Sequence, residues 1–161
     1  MSHKPSNLCQ KVYDARMVVI IGYESALEYW RTVGPRFLQG LKKRRSATAR
    51  ARKALQAQER PRLSAGNRRP GGCSIPVHAL VGSASARTQT GSIVCHVRSS
   101  LPEESVVDAG QGFFVSTPEF CFLQMASKLS LARLIQLGCE RSSRVQSTPM
   151  GARRRCARWA S

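Results

Sequence analysis

Acidic side chains are scarce in this sequence: nine Asp and Glu stand against 26 Lys and Arg in 161 residues, for a formal net charge of +17. A metal-dependent nuclease needs several carboxylates converging on one point to hold divalent ions and activate water. The acids of the central segment, Glu103, Glu104, Asp108 and Glu119, show no spacing that would do so; Glu103 and Glu104 fall in an expected loop and Glu119 at a helix start. Histidines number only three. A Cys-x-x-Cys pair, a glycine-rich phosphate loop, a serine elbow and a zinc-protease motif are all missing. These absences predict no catalytic residues, no cofactor and no metal. Long apolar runs are missing too. Met17-Val-Val-Ile-Ile-Gly22 is too short to span a bilayer and is followed by Glu24 and Glu28. Lys4, Lys11 and Arg16 precede it, but it lacks the length and small-residue cleavage site of a secretory signal. A cytoplasmic protein without a membrane partner is expected.

Cysteine is not scarce, yet its pattern argues against a disulfide framework. Cys9, Cys73, Cys95, Cys121, Cys139 and Cys156 are irregularly spaced. Cys95 and Cys121 lie inside apolar patterns, where a thiol acts as a small hydrophobe.

The positive charge is concentrated. Residues 41–72 carry eleven basic and one acidic side chain, and residues 141–161 carry six and none. Residues 73–140 are nearly balanced, with four and five. This divides the chain into a flexible lead at 1–16, an apolar helix or strand segment at 17–40, a basic helix and linker at 41–72, a small core at 73–140, and a disordered Arg/Ser tail at 141–161.

Within these blocks, β-branched Val18 to Ile21 suit a short buried strand or the lead into a helix. Ser25 is positioned to cap a helix over 26–32, and Tyr23, Leu27, Trp30 and Phe37 form an apolar face expected to pack in the core. From Leu41 to Arg60 good helix formers predominate, with Pro61 as a stop and only a weak apolar face, so this helix is expected to be exposed or to form on binding. Ile75–Val81, Ile93–Val97 and Gly112–Val115 read as short strands, antiparallel by their short links. Thr117 suits an N-cap, Pro118 the first helical position, and Glu119 the positive end of a helix expected over 118–137. Ser130 is placed to interrupt it and Gly138 to end it. The fold class that follows is α+β, with a small mixed or antiparallel sheet, one or two packed helices, and disordered basic segments.

Two clusters qualify as candidate sites. Lys42, Lys43, Arg44, Arg45, Arg50, Arg52, Lys53 and Arg60 could neutralise phosphates of DNA or RNA, with a mobile solvated connector as the alternative. His78 and His96 fall in two strands that can pair, near Cys95. Because Cys95 and His96 are adjacent, they face opposite sides of a regular strand, so structural histidines are expected in preference to a zinc site.

The segments Ile21-Gly-Tyr-Glu-Ser-Ala-Leu-Glu-Tyr-Trp-Arg31, Ile75–Val81, Val94–Val97 and Val115-Ser-Thr-Pro-Glu-Phe-Cys-Phe-Leu-Gln-Met-Ala126 resemble, in their order, a group of actinobacterial proteins. That group is similar to abortive-infection type (AbiEi-like) antitoxins and to proteins associated with a very-short-patch-repair-like endonuclease domain. The resemblance covers 17–140 in patches. It implies an architectural role for Thr117, Pro118 and Glu119, and nuclease-like chemistry only in a further C-terminal domain. After Glu140 the apolar pattern stops, which reads as a truncated or frameshifted end; a genuine basic tail is the alternative. The function expected is a non-enzymatic antitoxin-like or regulatory fragment touching nucleic acid. The alternatives are an inactive remnant of a nuclease-associated protein, or a protein-interaction module whose 118–137 face meets a missing C-terminal domain or a protein partner.

Overall fold

The computed structural model describes residues 18–34, 37–58, 60–63, 70–88 and 90–146. Five strands, β1 (Val19–Ile21), β2 (Val77–Val81), β3 (Ile93–Val97), β4 (Val106–Gly110) and β5 (Phe113–Ser116), form one mixed sheet in the order β3-β2-β1-β5-β4. Four helices accompany it: α1 (Tyr23–Val33), α2 (Leu41–Gln56), α3 (Pro118–Ala126) and α4 (Leu131–Gln146). The fold is a small α+β domain. None of the described helices is long and apolar enough to cross a membrane.

The shortest strand occupies the centre. Val19, Ile20 and Ile21 are all buried, as a continuous β-branched run requires when both faces are covered. β1 runs parallel to β5, with Ile20 opposite Phe114, and antiparallel to β2, with Ile20 opposite Leu80. β2 and β3 are parallel, which corrects the antiparallel expectation. Their connection, residues 82–92, contains a single helical turn at Ala84–Ala86 that lets the chain return to the same end of the sheet. β4, a strand not expected from the sequence, forms the edge antiparallel to β5, with a register irregularity between Asp108 and Gly110.

Helix α1 starts at Tyr23, two residues before Ser25, the cap expected from sequence. Ser25 instead spends its hydroxyl on the sheet: its Oγ accepts from the His78 N–H at 3.0 Å, where β1 has already run out. Trp30 is buried, and its indole N–H donates to the Ser116 carbonyl at 2.7 Å, fixing α1 to β5. Phe37 departs from the expected core face and is 56% exposed.

Helix α2 is a packed element and ends at Gln56, short of Pro61. Ala47, Thr48, Ala51 and Leu55 are buried, and α2 packs against β4. Small residues allow close approach: a Cβ at Gly82 would land on the Leu55 backbone, 2.9 Å from its carbonyl carbon. Thr48 Oγ1 accepts from the Val106 N–H at 3.3 Å. Arg44 and Arg52 are turned inward, donating to the Glu104 and Leu101 carbonyls.

Thr117 caps α3, its Oγ1 accepting from the Phe120 N–H, with Pro118 first in the helix and Glu119 exposed in its first turn. The helix expected over 118–137 is interrupted at 127–130, at the point where Ser130 was placed to interrupt it, and α4 follows. Gly138 lies inside α4, against the Phe122 ring, and does not end it. The helix continues to Gln146, so the expected start of the tail at 141 falls within it. Glu140 accepts from Arg31 Nε at 3.0 Å and Nη2 at 2.8 Å, tying α4 to α1. The lead at 1–16, the linker residues 64–69 and the tail from 147 onward, all expected to be loose, lie outside the described residues, as does Met17.

Candidate metal centre

At the end of the sheet where β1 stops and β2 begins, three ligand-bearing side chains converge. His78 on β2 and His96 on β3 are diagonal neighbours, since His78 pairs with Val94 and His96 with Leu80. Parallel pairing puts both rings on one face, with centroids 5.1 Å apart and planes 17° apart. Glu24 joins them from the first turn of α1, directly after the central strand. One ligand atom from each of the three lies within 4.8 Å of the others. For comparison, two ligands on a tetrahedral zinc ion are roughly 3.3 Å apart, given metal–ligand bonds of about 2.0–2.1 Å.

The hydrogen bonding leaves one atom unserved. His78 Nδ1 is 2.9 Å from His96 Nε2, a contact that one proton on either ring satisfies. Glu24 Oε2 also lies 2.9 Å from His78 Nδ1, yet it is buried and receives no hydrogen bond among the described residues. An imidazole nitrogen has one direction in which to donate or accept, and here that direction is taken by the other ring. Two imidazole nitrogens and a carboxylate oxygen therefore crowd together with fewer protons than lone pairs.

The charge states favour ligation. Burial, and then Lys128 and His78, push the His96 imidazolium down to about 4. Burial also lowers His78, against the opposing pull of Glu24. Both rings are neutral near pH 7, the form that binds metal. With His78 neutral, its contact with Glu24 is not an ion pair. Burial by itself would raise the Glu24 carboxyl, but its backbone hydrogen bond, His78 and Lys128 outweigh this and hold it below its ordinary value.

The surroundings fix the rings in place. Tyr23 stacks on His96 with centroids 3.9 Å apart. Its backbone is in the left-handed region, φ 51°, which is uncommon for an aromatic residue. Two contacts hold Tyr23 there, and a third holds the first partner. Its N–H donates to Gln124 Oε1 at 2.8 Å, its carbonyl accepts from the Cys121 thiol, and Gln124 in turn donates to Ser116 Oγ. Backbone strain held in place by buried partners is characteristic of functional sites.

Sequence reasoning reached part of this arrangement. It put His78 and His96 on paired strands and Cys95 on the opposite side, and the Cys95 thiol indeed turns away to donate to the Thr88 carbonyl. It missed Glu24, seen only as a charge excluding a membrane span, and it missed Lys128 and Tyr23. No local motif carries the triad, because its third member arrives through β1.

The basic cluster disperses into two roles. Lys42, Lys43, Lys53 and Arg60 are exposed. Arg45 and Arg50 point outward but pair with Glu104 at 2.6 Å and Asp108 at 2.9 Å, while Arg44 and Arg52 bind backbone carbonyls. No family model, curated protein or solved structure matches this chain.

Proposed function

We propose that this domain binds a divalent transition metal ion through Glu24, His78 and His96. The observation that carries the reading is the convergence of two imidazole nitrogens and a buried carboxylate oxygen left without a hydrogen bond. Imidazole ligands favour zinc and its first-row neighbours over magnesium or calcium. Two histidines and a glutamate, with a coordination position left over, also form the set in which zinc lowers the pKa of a bound water to about 7. Equilibrium dialysis against Zn2+ with metal analysis tests the reading. About one ion per chain is expected, and a chain that retains none at micromolar free zinc would overturn it.

A second reading is favoured by α2. Its charged residues are all cationic, and Ala47, Thr48, Ala51 and Leu55 hold the helix so that Lys42, Lys43, Arg45, Arg50 and Lys53 face outward. We propose that this face contacts nucleic-acid phosphates, in the non-enzymatic antitoxin-like or regulatory role that the sequence resemblance implies. Such binding to duplex DNA should weaken steeply with salt, with a log–log slope of roughly −3 to −5 for that number of phosphate contacts. Reversing Lys42, Lys43 and Lys53 to Glu should reduce the slope by about 3, and an unchanged slope removes α2 from the interface. A cytoplasmic location fits both readings. Buried Cys73, Cys95 and Cys121 use their thiols as hydrogen-bond donors to backbone carbonyls, a role that requires the reduced form.

A further inference from the structure

Lys128 lies just past the end of α3, its N–H donating to the Met125 carbonyl at 2.9 Å. The carbonyl end of a helix favours a cation. Its ammonium is 3.4 Å from Glu24 Oε1 and 4.9 Å from the centroid of the Tyr23 ring, the same ring that stacks on His96. One positive charge is thus held by the carboxylate and the aromatic that flank the histidine pair. Glu24 presents two oxygens, one toward Lys128 and the other toward the histidines.

We propose that Lys128 is a built-in competitor for the metal: it neutralises Glu24, and an ion that takes Glu24 must overcome or displace it. The inference rests on the metal reading and adds a control on affinity to it. The opposite role, in which Lys128 helps by orienting the carboxylate, is the weaker one. At 3.4 Å the contact is long for a charge-assisted hydrogen bond. Repulsion between an ammonium and a divalent ion acts directly, and over a greater range. The Lys128 side chain is 35% exposed, so it can swing into solvent when the ion enters.

The test is a Co2+ titration of the full chain, followed by visible absorption, for wild type, Lys128→Met and Lys128→Arg. Lys128→Met should bind about tenfold more tightly, because the entering ion no longer meets an ammonium beside Glu24. Lys128→Arg keeps the charge and should bind as wild type does. Thermal melts without metal check that each variant is folded. Equal or weaker binding by a folded Lys128→Met overturns the competition while leaving the metal site standing. Absence of Co2+ uptake by wild type and Lys128→Met alike overturns both the competition and the metal reading. Should Lys128→Met fail to fold, Lys128→Gln removes the same charge and is read in the same way.

Discussion

Replacing His96 with alanine is expected to lower the affinity for Zn2+ or Co2+ by at least about 100-fold and to leave the chain folded. The proposed site has three protein ligands, and the loss of one would leave a pair that cannot close a specific coordination shell. His96 is only partly buried and lies on the edge strand β3, so its removal costs the Tyr23 stack but opens no large cavity. The same comparison can be made by stability. Metal at about 100 times its Kd adds roughly 2.7 kcal/mol to the folded state, which for a domain of this size raises the Tm by about 10 °C. That rise should be present in wild type and absent in His96→Ala and Glu24→Gln. Cys95→Ala is the control: its thiol faces Thr88, so metal affinity should not change. A His96→Ala chain with wild-type affinity would remove β3 from the site altogether.

The second large effect concerns the core. Phe114→Ala should destabilise the domain by about 3–5 kcal/mol, a large share of the roughly 5–15 kcal/mol that a domain has in total. Phe114 is fully buried on β5, pairs with Ile20 of the central strand, and lies 5.0 Å beneath the Arg50 guanidinium. Truncating it removes packing between the sheet and α2 at the point where Arg50 also pairs with Asp108. Urea denaturation of wild type and variant gives the difference. Phe37→Ala, at an exposed position outside this core, should cost under about 1 kcal/mol. A loss below 1 kcal/mol at Phe114 would mean that α2 does not seal this face of the sheet.

What could be read from sequence was what local chemistry determines. Thr117-Pro118-Glu119 announced a helix start because capping involves only neighbouring residues, and the short apolar run at Ile93–Val97 announced a strand. The sheet's order was hidden, because β1 inserts between β2 and β5 from a segment more than fifty residues upstream of either. β4 was hidden because Val106-Val-Asp-Ala-Gly110 is short and ends in glycine. Helix α4 was lost beyond Glu140 because its continuation is arginine- and serine-rich. The Arg31–Glu140 pair just before it is a contact to another helix, with no signature in the local pattern. The site divides along the same line. Two histidines on strands suggested proximity, but only the placement of β1 beside β2 could bring Glu24 to them.

The most direct measurement is a Co2+ titration of the wild-type chain followed by its visible d–d absorption, repeated with His96→Ala. The account predicts saturation at one ion per chain, with the band intensity of a low-symmetry nitrogen- and oxygen-ligated site, and no such band in the variant. Spectra that remain those of the free aqueous ion in wild type, or that are identical in the two proteins, would contradict it.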